Sequence, residues 1–161
     1  MKIITITYIS SRKFARLECN RLLEQHPDIE LAVLTSGANP AEIWLALARS
    51  EVAVIDEEIM LRDEGDALDT LLAGNPDVKF LAVMKNYNEA NMLWAISRGV
   101  RGVMLRRELP QLLGKAIKQI RSGEVWIPRQ LLPSLREIIN WQEAGLPGSG
   151  DSRTSVRSRL H

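Results

Sequence analysis

Short apolar runs alternate with amphipathic segments through most of this 161-residue chain. Residues 80–84 and 102–105 are examples of runs without a charged side chain, and they predict strands that are buried on both faces. The segments between such runs carry apolar residues at helical spacing and end at turn residues such as Gly99 and Gly123. Parallel strands covered by helices on both sides are the arrangement that this alternation indicates.

The pattern predicts five strands and five helices in strict alternation over residues 1–128. The strands are expected at residues 3–9, 29–34, 52–55, 80–84 and 102–105. Asn39 is typical of a helix cap and Pro40 of a first helical residue, whereas the acidic stretch 57–66 is expected to be a loop. The predicted fold class is α/β, a doubly wound five-stranded parallel sheet of the flavodoxin-like kind. In such folds, sites lie at the carboxyl ends of the strands.

Two further segments follow this domain of residues 1–128. Residues 129–144 carry apolar side chains at helical intervals and predict an additional C-terminal helix that begins near Pro133 or bends there. Residues 145–161 are rich in Gly, Pro, Ser and Arg, which predicts a flexible linker with a basic tail.

Composition narrows the class of protein. A net charge of +1 argues neither for nor against a nucleic-acid surface. The single cysteine, Cys19, excludes an internal disulfide and is expected to be a packing residue in a reducing compartment. The sequence shows no signal peptide, no apolar run of about 18 residues, no clustered transition-metal ligands and no nucleophile elbow or phosphate loop. We therefore expect a cytoplasmic protein that is not an enzyme and has no metal, cofactor or membrane contact.

Residues 78–128 carry a family resemblance. The segments AISRGVRG (95–102), VMLR (103–106) and GEVWIP (123–128), with Pro110 between the last two, resemble the second half of a receiver domain from the NarL/FixJ, or LuxR-type, response regulators. Their order and spacing agree over about 50 residues. The resemblance implies the receiver fold. It also implies that a helix-turn-helix DNA-binding domain would follow the linker, and no such motif is evident within these residues.

The resemblance places the phosphoacceptor position at Asp56, directly after the third strand. A working receiver needs two more carboxylates after the first strand, because Mg²⁺ prefers oxygen ligands in octahedral geometry. Ser10 and Ser11 occupy those positions, and hydroxyl groups are poor substitutes. One alternative stays open: Asp56 could accept phosphate if Glu57 or Glu58 recruited the metal ion.

The remaining positions of the implied site also depart from the family pattern. Met84 matches the hydroxyl residue that ends the fourth strand, Val103 matches the aromatic switch residue, and Arg106 matches the lysine that ends the fifth strand. The resemblance is thus to an atypical, or pseudo-, receiver. Arg106 could pair bidentately with Asp56 or stay exposed in solvent, and the sequence does not distinguish the two.

Trp126 and Arg129 suggest a second, weaker hypothesis. The segment WIPR at 126–129 resembles in part the W-[FLM]-[TS]-R motif with which some LuxR-type regulators bind cyclic di-GMP, since Arg and Trp suit guanine recognition and stacking. Pro128 replaces a hydroxyl residue of that motif. A nucleotide-binding site at Trp126 and Arg129 is therefore an alternative to the main hypothesis.

The resemblance implies a phosphorylation-independent signal-input and dimerisation domain of a LuxR/NarL-type transcriptional regulator, with DNA bound through a further domain. The alternatives are a small-ligand sensor and a stand-alone protein-interaction adaptor. We expect a homodimer, either through the face of the fourth and fifth predicted helices or through an apolar face of the C-terminal helix. That second face consists of Leu131, Leu135, Ile138 and Trp141.

Overall fold

The computed structural model describes residues 2–35 and 39–143, so the expected linker at 145–161 lies outside the described residues. Five strands are present in this part of the chain. They are β1 (Ile4–Ser10), β2 (Ile29–Thr35), β3 (Val52–Asp56), β4 (Lys79–Met84) and β5 (Gly102–Leu105).

Seven α-helices accompany these strands within the described residues. They are α1 (Ala15–Gln25), α2 (Pro40–Ala48), α3 (Glu57–Met60), α4 (Asp66–Gly74), α5 (Glu89–Arg98), α6 (Leu109–Arg121) and α7 (Leu132–Glu143). Short 3-10 turns lie at Arg62–Gly65, Arg106–Glu108 and Arg129–Leu131. No helix among these residues is long and apolar enough to cross a membrane.

The five strands form one parallel sheet in the order β2-β1-β3-β4-β5. This is the flavodoxin-like order, so the predicted fold class is confirmed. The order reverses at β1 and β3, which lie side by side with Ile9 opposite Ile55. The carboxyl ends of these two strands therefore meet at the point where such folds hold their sites.

Two helix ends lie at the residues that the sequence marks as helix caps or stops. The Asn39 side chain accepts a hydrogen bond from the backbone N–H of Ala41, and Pro40 is the first residue of α2. Gly99 ends α5 with φ near +128°, a backbone conformation that favours glycine.

The acidic stretch after β3 differs from its prediction as a loop. It contains α3, followed by a turn in which Asp63, Glu64 and Gly65 all adopt left-handed backbone angles. The Trp94 ring packs against Gly65 so closely that a side chain there would overlap it. The many acidic residues of this stretch led to the prediction of an exposed loop. Two apolar residues within it, Ile59 and Met60, are buried instead and anchor α3 in the core.

Side chains pack on both faces of the sheet. Helices α1 and α6 cover one face, where a cluster forms around Ile6, Val54 and Ile117. Helices α2 to α5 and α7 contribute to the cluster on the other face. Burial on both sides explains why the central strands β3, β4 and β5 are apolar between their ends.

The additional C-terminal helix is present as α7, and Pro133 lies in its first turn, where the missing N–H costs no helical hydrogen bond. Leu131 and Leu135 are 0% and 1% exposed and belong to the same core cluster as the buried face of α5. The Ser134 hydroxyl also donates to Glu89 at the start of α5. The expectation that Leu131 and Leu135 form an exposed dimer face is therefore wrong, because the helix folds back onto its own domain.

The other two residues of that expected face are Ile138 and Trp141. Their side chains lie outside the described part of the structure. Their role in a dimer remains a prediction.

Candidate functional site

Asp56 is the last residue of β3, and its side chain is 0% exposed. The Tyr8 hydroxyl donates to Oδ1 of this carboxylate over 2.5 Å. Oδ2 accepts hydrogen bonds from the Ser10 hydroxyl and, over 3.3 Å, from Nε of Arg12. Both oxygens of the carboxylate are thus bound by side chains of the same protein.

The sheet itself brings these groups together. Because Ile9 lies opposite Ile55, Ser10 is level with Asp56 across the β1–β3 ladder. Tyr8 precedes Ser10 by two residues and so projects from the same face of β1. Arg12 lies two residues beyond the end of β1, and its backbone N–H donates to the Ser10 hydroxyl over 3.0 Å, which holds the turn in place.

The Arg12 guanidinium links three partners. Nε contacts Asp56, Nη2 donates to the Tyr8 hydroxyl over 3.0 Å, and Nη1 donates to both oxygens of Glu18 over 2.9 and 2.7 Å. The Arg12 side chain is only 14% exposed, whereas Glu18 is 40% exposed. The cluster thus has a buried end at Asp56 and a solvent-facing end at Glu18.

Burial fixes the protonation of the tyrosine. Desolvation raises the pKa of Tyr8 well above its usual range, and the neighbouring Asp56 charge raises it further. For Arg12, desolvation alone would lower the pKa, but the hydrogen bonds with Tyr8 and Glu18 and the charge of Asp56 outweigh it and raise the pKa. Tyr8 therefore stays a neutral donor and Arg12 a permanent cation.

Three other residues that the resemblance assigns to the site, Ser11, Met84 and Val103, form no hydrogen bond with Asp56 in the described structure. Ser11 donates to Glu58 over 2.7 Å and, among the described side chains, forms no hydrogen bond with the carboxylate of Asp56. Met84, the last residue of β4, and Val103, within β5, are fully buried, and neither has a polar side-chain group to offer to the site.

Arg106 does not pair with Asp56 in the described structure. It lies in the turn after β5, and its buried Nε has no hydrogen-bond partner there. Arg12 supplies the cation at this carboxylate instead. Of the two alternatives left open for Arg106, the bidentate pair with Asp56 is not formed: an arginine does occupy the site, but it is Arg12, which follows β1, rather than Arg106, which follows β5.

A divalent cation does not fit this set of donors. Mg²⁺ requires several oxygen ligands with free lone pairs, and each Asp56 oxygen here already accepts from a donor of the chain. A guanidinium 3.3 Å from Oδ2 would also repel the ion. No group of three or more potential metal ligands occurs within residues 2–35 and 39–143.

Trp126 and Arg129 lie at the start of the C-terminal extension. The Trp126 backbone bridges to β5, with its N–H on the Arg101 carbonyl and its carbonyl on the Val103 N–H. Its half-buried ring packs against the core cluster on the α1–α6 face. Arg129 is exposed at the beginning of a 3-10 turn. The tryptophan is thus partly used in packing, and no observation places a nucleotide here.

Sequence reasoning located Asp56 and Ser10 but missed Tyr8, Arg12 and Glu18. Tyr8 carried a signal, because a tyrosine near the carboxyl end of a buried strand must find a partner for its hydroxyl. Arg12 carried a weaker one, since an arginine just after that strand can reach the same edge of the sheet. Its choice of Asp56 as partner depends on the register between β1 and β3.

The sheet order and the polar cluster at its switch point define a doubly wound, flavodoxin-like α/β domain. No family model matches the sequence, and no curated protein matches it. Among solved structures, the chain is similar to the isolated receiver domain of RcsB from Salmonella enterica serovar Typhimurium in the apo form. The identity is 15% and the TM-score 0.71, and the match covers 83% of this chain and 98% of that one.

Two further structures agree. A LuxR-family two-component response regulator from Aurantimonas sp. SI85-9A1 is 18% identical with a TM-score of 0.67, covering 84% of this chain and 97% of that one. RcsB in a structure of two RcsB dimers bound to two parallel DNAs is 14% identical with a TM-score of 0.64, covering 91% of this chain and 79% of that one. This chain therefore has the receiver fold found in these LuxR-family regulators.

Proposed function

We propose that this chain is a signal-input domain of a LuxR/NarL-type transcriptional regulator that works without aspartate phosphorylation and catalyses no reaction. One observation carries the proposal. The Asp56 carboxylate is fully buried, and the side chains of Tyr8, Ser10 and Arg12 bind both of its oxygens.

Phosphoryl transfer to an aspartate needs an oxygen that is free to attack the phosphorus atom. It also needs a metal ion and polar groups that hold the transferred oxygens. Each Asp56 oxygen already accepts a hydrogen bond that reduces its nucleophilicity, and the guanidinium of Arg12 lies 3.3 Å from Oδ2, where it disfavours a second cation. Met84 and Val103 provide no hydroxyl or aromatic group that could respond to a phosphoryl group. The cluster favours a single, permanently closed state of the site.

The proposal is tested by incubating the protein with acetyl phosphate and Mg²⁺ and measuring its intact mass. We expect no phosphate adduct, and no fluorescence change on addition of millimolar Mg²⁺. A Mg²⁺-dependent adduct on the wild type that is lost in Asp56→Asn would refute the proposal.

Self-association is part of the same proposal. RcsB forms dimers in one of the structures described above, and two-fold dimers are the commonest homo-oligomers of soluble proteins. Two dimer surfaces were expected. Because Leu131 and Leu135 of the C-terminal surface are buried, the surface formed by α5 and α6 is the better candidate. Light scattering should give the mass of a dimer at micromolar concentration. A monomer mass that persists as the concentration rises would remove dimerisation from the proposed function.

A further inference from the structure

A cavity of about 330 Å³ lies between α2 and α4, separate from the Asp56 cluster. Its walls are largely apolar, with Ile43 and Trp44 contributed by α2 and Leu71 by α4. This volume is within the range of small-molecule sites, which are typically apolar concavities with a few polar groups. The cavity can thus hold a small molecule with an apolar or aromatic body.

The tryptophan is held in position by its neighbour on α4. Trp44 packs so closely on Gly74 that a side chain at residue 74 would overlap the indole ring. Its side chain nevertheless remains 37% exposed. An aromatic ring that packs on Gly74 and still exposes part of its surface at a cavity wall is suited to stacking with a ligand or to contact with a cation.

Charged groups lie at the rim of this cavity. Asp63 and Asp66 line it together with Arg62, and no cation lies within ion-pair distance of either aspartate in the described part of the chain. Residues 57–69 hold six acidic side chains and one basic one. Only one of the six, Asp69, forms an ion pair there, with Arg98 over 2.7 Å. The potential at the rim is therefore negative and favours a positively charged group.

We propose that this cavity binds a small apolar or aromatic molecule bearing one positive charge, such as an organic amine. The apolar body packs between Ile43, Trp44 and Leu71, and the ammonium group lies at Asp63 and Asp66. Ile9 also lines the cavity and directly precedes Ser10, so an occupied cavity contacts the strand that holds the Asp56 cluster. This effector site is independent of Trp126 and Arg129 and does not depend on phosphorylation.

The test is a titration of the ¹⁵N-labelled full chain with phenethylamine, 2-phenylethanol and 3-phenylpropionate, which share a phenyl group and differ in charge. We expect saturable shifts of α2 and α4 amides and of the Trp44 indole N–H, assigned with Trp44→Phe. The amine should bind about fivefold more tightly than the alcohol, the amount expected for a partly exposed charge pair. The anion should bind most weakly.

Matched variants test separately how the charge at the cavity rim and the shape of the cavity contribute to binding. Asp63→Asn/Asp66→Asn should reduce the affinity for the amine to that for the alcohol, while Asp77→Asn, an exposed acid on the loop before β4, should leave both unchanged. Ala67→Leu fills the cavity from α4 and should abolish binding of all three. Equal affinity for the amine and the anion would overturn the proposal, and so would saturable shifts that leave the cavity-lining residues unaffected or an absence of saturable binding by any probe.

Discussion

Replacing Tyr8 by phenylalanine removes one oxygen atom and keeps the shape of the ring. The lost hydroxyl donates to the buried Asp56 carboxylate over 2.5 Å and accepts from Arg12 over 3.0 Å. A hydrogen bond to a charged group contributes about 2 kcal/mol and a second one about 1 kcal/mol. Phenylalanine recovers roughly 1 kcal/mol, because its ring carries no polar group to desolvate. Tyr8→Phe should therefore lower the free energy of unfolding by about 2 kcal/mol.

Urea denaturation followed by far-UV circular dichroism measures this change. With a slope of about 2 kcal/mol per molar urea, the midpoint should fall by roughly 1 M while the slope stays the same. Tyr87 is the matched control, since it is the other tyrosine of the chain and its side chain is exposed. Tyr87→Phe should change stability by less than about 0.5 kcal/mol. Equal effects of the two variants would refute the reasoning that the Tyr8 hydroxyl holds the Asp56 cluster together.

The raised pKa of Tyr8 adds a second readout. Because burial and Asp56 keep Tyr8 neutral in the folded state, its contribution is fully present below the unfolded pKa of about 10 and declines as pH rises above it. The difference in stability between the wild type and Tyr8→Phe should accordingly shrink above about pH 10. A difference that grows with pH in this range would contradict the assignment of Tyr8 as a neutral donor.

Three further perturbations test other parts of the fold. Burial raises the pKa of the Cys19 thiol to about 12, so its reaction with an aromatic disulfide at pH 8 should be at least about 100-fold slower in the native protein than in urea; equal rates would show that Cys19 is not buried. Gly102→Ala would place a Cβ 2.9 Å from the Trp126 carbonyl oxygen, and urea denaturation should show a loss of about 2 kcal/mol, whereas a neutral effect would mean that the Trp126 bridge moves freely. Leu135→Ala should cost about 3 kcal/mol if α7 is docked on the core, and a loss below about 1 kcal/mol would show that it is not.

The order of elements was readable from the sequence because strands buried on both faces carry apolar runs, with charged residues mostly at their ends. Asn39 and Gly99 marked helix ends for local steric and hydrogen-bonding reasons that do not depend on the rest of the fold. The resemblance to receiver domains placed Asp56 and Ser10 after the third and first strands, and the topology brings both to one edge of the sheet, since parallel strands end together there. The helix ends depend on local chemistry, whereas the site positions depend on the resemblance together with the topology.

The partners of individual side chains were not readable in this way. Arg12 and Arg106 both follow strands, and only the strand register decides that the first reaches Asp56. An apolar face on α7 likewise does not reveal whether it packs against its own domain or against a second copy. The buried positions of Leu131 and Leu135 decide that question for the first half of the helix.

The Arg12–Asp56 pair changes how the site depends on its surroundings. In a receiver that binds a metal ion, the fraction of occupied sites depends on the free concentration of that ion. The stability of the folded state depends on that concentration in the same way. Here the positive charge belongs to the chain, so its local concentration is constant and no chelator can remove it. Dilution, magnesium depletion and dialysis leave such a site unchanged, and only a competitor for the guanidinium, or a movement of β1, can release Asp56.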